Sequence, residues 1–281
     1  GQGCNMGRHA QTKNIIDAAY EVLAEHHPMT VRQVYYQLVS RQVIENNRGR
    51  YQAVSNALVD ARQDGTIPWE WIEDRLRRPR YVSMWGDLAD FGETVCSAYR
   101  RDVWATQSAY IESWLEKDAL SGIFEDVLGP YGVTLNVGRG YDGWSSIRNA
   151  AKRLNDRSDC TILYFGDFDQ SGEDMVRSLR ERLAFFDCRP DMVKCALTAD
   201  DIERYNLPPD FAKKTDTRAA RFIAEHGDVS VELDALPVDV LRDRLQSEVR
   251  ARMDLEALEA IRGIEKRERA KLRKTVKALS T

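Results

Sequence analysis

Two aspartates, Asp167 and Asp169, follow the apolar run Thr161-Ile-Leu-Tyr-Phe165 within the segment Tyr164–Gly172. Such a run reads as a buried strand, and a strand that finishes in Asp-x-Asp sets two carboxylates side by side at its carboxyl end. Open α/β sheets place their ligands at that edge. Two like charges held this close either raise their pKa values or take up a cation. Mg²⁺ suits them, because it takes oxygen ligands and keeps several waters. Glu116, in Leu115-Glu116-Lys117, stands just after another strand, Ala109–Leu115. If the two strands are neighbours, Glu116, Asp167 and Asp169 form an acidic triad able to hold one or two divalent ions. Such ions polarise a phosphate and stabilise its leaving oxygen. Gly172 allows a tight turn into the next helix, and Ser171, Glu173 and Asp174 suit that helix start. The bland alternative is a set of surface carboxylates that cap helices.

Arg32 and Tyr36 carry a second kind of chemistry. They lie on a helix opened by the capping-box pattern Thr30-x-x-Gln33. Its core positions are Val31, Val34, Tyr35, Leu38 and Val39. Tyr36 stands about 100° away from Tyr35, on the face of Arg32 and Ser40. A phenol of pKa about 10 is a poor nucleophile at neutral pH, and a nearby guanidinium or metal favours the phenolate. The alternative is a surface tyrosine. A third feature, Gly138-Arg139-Gly140-Tyr141, lies between a strand and a helix. Its amides and Arg139 offer a place for an anion, and an ordinary glycine turn fits the pattern equally well; Lys117, beside Glu116, is a further candidate cation.

The elements that must position these groups follow from the periodicity. Asn14–Glu25, the helix from Thr30, and Tyr51–Gln63 read as three helices, with a short hairpin expected after Asp64-Gly65. Three helices and a hairpin make a winged-helix pattern, in which the third helix enters the DNA major groove. Arg48, Arg50 and Arg62 flank or lie on it and are the candidate DNA contacts. Residues 1–80 form this first domain, and 81–101 a helical connector. From 102 to 205 strands and helices alternate: strands at Ala109–Leu115, Val133–Val137, Thr161–Phe165 and Met192–Leu197, with helices between them. Repeated βαβ units imply a mainly parallel, Rossmann-like sheet. Residues 206–240 are irregular and the remainder to 281 is helical and charged.

Composition sets the boundaries. A chain of 281 residues accommodates two domains. No apolar run approaches the roughly 18–20 residues that span a membrane, and the polar start carries no secretory pattern. Five scattered cysteines without a C-x-x-C read as reduced thiols, and the four histidines lack metal spacing. A cytoplasmic, nucleoid-associated protein is the expectation. The pI near 5.7 conceals a basic tail: residues 262–281 hold eight basic and two acidic groups. That tail reads as a DNA contact, a dimer helix or a solvated helix.

Taken together, Glu116-Lys117, Gly-Arg-Gly-Tyr and Asp167-Phe-Asp169-Gln-Ser-Gly172 resemble a Toprim domain. A Toprim domain preceded by a winged helix with Arg-x-x-Tyr-Tyr resembles the A subunit of DNA topoisomerase VI, and most of all its stand-alone Mini-A form. The resemblance covers roughly residues 14–200. It implies that Tyr36 attacks a DNA phosphodiester and stays linked to the 5′ phosphate, that Arg32 assists, and that Glu116, Asp167 and Asp169 hold Mg²⁺. It also implies a homodimer on double-stranded DNA in which the tyrosine of one protomer works with the metal site of the other. Two positions depart from the family pattern. Arg139 stands where lysine is usual, and Gln170 where proline is usual. Strand passage in topoisomerase VI needs an ATPase partner, and the chain has no Walker-type loop, so an ATPase subunit would be a separate chain. Three readings follow: a Mg²⁺-dependent DNA-cleaving transesterase, a Toprim nuclease using metal-activated water with Tyr36 structural, and a DNA-binding module without activity.

Overall fold

The computed structural model describes residues 3–73, 82–138, 144–209 and 230–279. Three helices open it: α1 (Gly3–His26), α2 (Val31–Ser40) and α3 (Arg48–Gln63). Helix α1 begins well before the predicted Asn14, because the polar stretch ahead of the apolar stripe contains no proline to stop the ladder. The capping box of α2 is formed, with Thr30 Oγ1 accepting from Gln33 N and Thr30 N donating to Gln33 Oε1. Asn47 caps α3 by accepting from Arg50 N at 2.9 Å. Ile15, Ala19 and Leu23 of α1, Val34 and Leu38 of α2, and Val54 and Leu58 of α3 are buried in one core.

The hairpin expected after α3 is not found among the described residues. Pro68 has no amide proton to give a ladder. It leads into one 3₁₀ turn, Trp69–Trp71, after which Ile72 pairs with Met29 through a single parallel bridge. The charged stretch from Arg75 to Arg80 lies outside the described residues.

Helix α4 (Leu88–Ala98) then leads to the alternating part: β1 (Tyr110–Leu115), α5 (Ser121–Leu128), β2 (Thr134–Val137), α6 (Trp144–Asn155), β3 (Cys160–Phe165), α7 (Gln170–Ala184), β4 (Asp191–Ala196) and α8 (Ala199–Arg204). The four strands form one parallel sheet in the order β2-β1-β3-β4. This is the α/β architecture that the repeated βαβ pattern predicts. A parallel sheet needs cover on both faces, which explains why β1 is buried along its whole length. Even Glu112, in mid-strand, is enclosed, and Arg153, Asn136 and Trp114 all donate to its carboxylate.

Two further helices, α9 (Val238–Arg250) and α10 (Leu255–Leu279), complete the chain. Helix α9 packs on α5, and α6 on α7. The basic tail is a docked helix: α10 lies along α4, where a Cβ on Gly92 would stand 2.0 Å from Val276 Cγ1. Arg269 donates to Tyr99 O, and Arg262 to Glu259 and Pro130 O, so part of its charge is taken up locally. No helix among the described residues is long and apolar enough to cross a membrane.

Candidate active site

Strands β1 and β3 are hydrogen-bonded neighbours, and Glu116 N extends their ladder by donating to Phe165 O at 2.9 Å. The strand order reverses at this pair, which makes it the switch point where open α/β sheets take ligands. Glu116 follows one strand, and Asp167 and Asp169 follow the other. Asp167 N donates to Glu116 Oε2 at 3.1 Å. Asp169 caps α7, accepting from Gly172 N at 2.7 Å. Gly172 is required here by close approach: a Cβ would sit 2.5 Å from the Asp167 carbonyl oxygen. The side chains of Ser171 and Glu173 lie outside the described residues.

Two acidic residues not expected from the sequence join this edge. Phe168 and Val231 exchange backbone hydrogen bonds of 2.9 and 3.0 Å as an antiparallel bridge. That bridge lays Val231-Glu-Leu-Asp-Ala-Leu236 across the ends of the strands. Leu233 N donates to Asp167 Oδ1 at 2.8 Å. Glu232 and Asp234 are thereby brought to Lys117, whose Nζ lies 3.1 Å from Asp167 Oδ1, 2.7 Å from Glu232 Oε2 and 3.1 Å from Asp234 Oδ2. The available signal was a second acidic-x-acidic pair in an apolar run, the same pattern as Asp167-Phe-Asp169.

Helix α2 meets the same cluster. Arg32 Nε and Nη2 both donate to Glu232 Oε2, and Arg32 Nε lies 3.7 Å from Asp234 Oδ2. The guanidinium carbon stands 5.5 Å from the centre of the Tyr36 ring. Ser40 Oγ donates to Ala235 O at 3.3 Å. On this face of α2 Tyr36 is therefore covered, while the Arg32 side chain stays partly exposed. Tyr36 is 2% exposed, although the helical wheel sets it on the polar face with Arg32 and Ser40. A wheel sees only the helix and not the segment, Leu233–Ala235, that packs on its polar side.

Five carboxylates thus meet two cations: Glu116, Asp167, Asp169, Glu232 and Asp234 against Arg32 and Lys117. The charges divide. Burial works against the charged form of Lys117, but Asp234, Asp167 and Glu232 hold it protonated. Burial likewise opposes the charge on Glu232, yet Lys117 and Arg32 keep its pKa below the ordinary carboxylate range. On the other side, burial and the nearby Asp167 and Asp169 push Glu116 up to about 7. Asp167 is also raised, by burial, against the pull of Lys117 and the Leu233 amide. Glu232, Asp234 and Asp167 share the two cations, three carboxylates to two positive charges, and Glu116 adds a further buried acid beside Asp167.

That surplus, on hard oxygen donors, fits a divalent cation. The triad oxygens are not gathered within 4.8 Å of one another. Among the described residues only Glu25, His26 and Asp239 meet that measure, and there His26 bridges two exposed carboxylates at 3.5 and 3.6 Å. In the triad, Asp167 faces Lys117 and Leu233 N while Asp169 caps α7.

The candidate DNA contacts lie in different surroundings. Arg48 is exposed at the start of α3, and Arg50 is half-buried. Arg62 lies over the Trp69 ring at 4.9 Å and donates to Leu58 O, a packing role. Lys117 is an internal anchor, 17% exposed. Arg139 and its glycine turn lie outside the described residues. No family model matches the chain, and no curated protein matches it.

Proposed function

We propose that the chain is a Mg²⁺-dependent DNA-cleaving transesterase of the topoisomerase VI A type, with α1–α3 as a winged-helix domain and β1–β4 as a Toprim domain. The observation that carries this reading is the chain of contacts at the switch point that runs from Arg32, over the Tyr36 ring, through Glu232 and Lys117 to Asp167 of the carboxylate triad. Glu116, Asp167 and Asp169 are the residues that would hold Mg²⁺. Bound there, the ion supplies positive charge that stabilises the leaving oxygen. Tyr36 Oη forms a bond to phosphorus as the bond from phosphorus to the 3′ oxygen breaks. The phenol loses its proton, and the departing oxygen ends as a 3′ hydroxyl. Arg32 offsets the charge that grows on the phosphate. The partners are double-stranded DNA and a second copy of the chain, with any ATPase a separate subunit.

A second reading, a metal-dependent nuclease using water, is favoured by the burial of Tyr36. One experiment separates them. Labelled supercoiled DNA is incubated with the protein and Mg²⁺, denatured and digested with protease. Label that stays on the protein, and is lost in Tyr36→Phe, supports transesterification. Free ends that persist in Tyr36→Phe would leave the nuclease. No cleavage with any metal would leave a DNA-binding module.

A further inference from the structure

Glu232 Oε2 is gripped by cations from two separate elements. Arg32, on α2, donates to it through Nε at 2.9 Å and again through Nη2, and Lys117, just after β1, donates at 2.7 Å. A guanidinium fork and an ammonium converging on one oxygen make the arrangement that holds a phosphate. Asp234 stands behind them with its side chain 0% exposed and neither oxygen hydrogen-bonded. It lies 3.1 Å from Lys117 and 3.7 Å from Arg32, so the two cations keep an anionic anchor if Glu232 leaves. The Arg32 side chain is 41% exposed while Glu232 and Lys117 are 9% and 17% exposed, so the position is approached from the Arg32 side.

We propose that Arg32 and Lys117 form a binding position for a phosphate of the DNA backbone, and that Glu232 fills it in the DNA-free chain as an internal anion. This rests on the reading of the chain as a DNA-cleaving enzyme. Binding is then an exchange, with phosphate entering as the Glu232 carboxylate leaves. The exchange also bears on Tyr36. Arg32 and Ser40, one helical turn before and after it, both tie α2 to the segment Glu232–Ala235. Release of Glu232 removes one of those ties and loosens the cover over the tyrosine.

The test is made in a Tyr36→Phe background without divalent ions, so that no cleavage intervenes. Two probes are used: a short fluorescent duplex read by anisotropy, and inorganic phosphate read by its effect on the melting temperature. Glu232→Gln is expected to bind the duplex about tenfold more tightly, with a salt slope steeper by about one. Glu232→Asp, which keeps the charge but withdraws it, should fall between. Adding Arg32→Gln to Glu232→Gln should remove the gain. Inorganic phosphate should raise the melting temperature of Glu232→Gln more than that of its parent. The proposal is overturned if folded Glu232→Gln binds neither probe more tightly than its parent. It is also overturned if Glu232→Gln fails to fold while Glu232→Asp binds like the parent, since Glu232 would then be a structural tie. If phosphate favours the variant but no form binds DNA, the anion position stands and the DNA reading fails.

Discussion

Which carboxylates at the sheet edge are already balanced decides what the site can bind. Glu232 and Asp234 have Arg32 and Lys117; Asp167 shares Lys117 with them, and Glu116 is buried beside Asp167 and Asp169. Asp167→Asn keeps the shape of the side chain and removes one negative charge from the triad. Mg²⁺-dependent cleavage is expected to fall about a hundredfold or more, while DNA binding measured without metal persists. Loss of binding as well would make Asp167 a structural residue. Gly172→Ala tests the backbone at the same place, because its Cβ meets the Asp167 carbonyl oxygen at 2.5 Å. A backbone atom cannot swing aside as a side chain does. The Asp167–Gly172 turn must shift, at about 1–3 kcal/mol in urea unfolding, with weaker metal dependence of cleavage. An unaltered unfolding midpoint would show that the turn yields without strain.

Among the elements, α8 and α9 are joined by a clamp remote from the chemistry. Arg244 of α9 donates to both oxygens of Asp201, at 2.7 and 2.6 Å, and to Cys195 O at the end of β4. Burial pushes the Asp201 carboxyl up, but the Arg244 and Thr198 hydrogen bonds outweigh it and hold the pKa below the usual range. A carboxylate depressed in the folded state contributes stability that is present above its unfolded pKa, about 3.9. That contribution is lost as the pH falls through the lower folded value. Asp201→Asn is therefore expected to cost about 2 kcal/mol near neutrality and to flatten the acid limb of a stability–pH profile. If the variant and parent profiles stay parallel down to acid pH, the clamp does not carry that dependence.

For the whole molecule, the proposed dimer sets which chain's carboxylates serve Tyr36. The family resemblance assigns them to the partner protomer, whereas Arg32 is tied to Glu232 of its own chain. Mixing Tyr36→Phe with Asp167→Asn protein separates the two arrangements. In the shared arrangement, half of the sites in a mixed dimer pair an intact tyrosine with an intact triad, and single-strand nicks appear. This is the outcome expected of the proposed enzyme. If each chain acts alone, both sites of every mixed dimer are dead and the DNA stays uncut.

Local pattern was enough for much of this protein. The alternation of largely apolar runs with helical stretches marked the four strands, since a parallel strand covered on both faces is mostly apolar, Glu112 being an exception that Arg153 and Asn136 satisfy. Asp167 and Asp169 were legible because turn, strand and carboxylates lie within a few residues of one another. The capping box at Thr30 was legible for the same reason. Contacts between distant segments were not. That β1 and β3 adjoin, that Val231 pairs with Phe168, and that Glu232 reaches Arg32 depend on how separate pieces of chain pack. Tyr36 shows the difference most plainly. Its helical face was read correctly from spacing, but its burial was decided by the segment Leu233–Ala235, which no periodicity in α2 reveals.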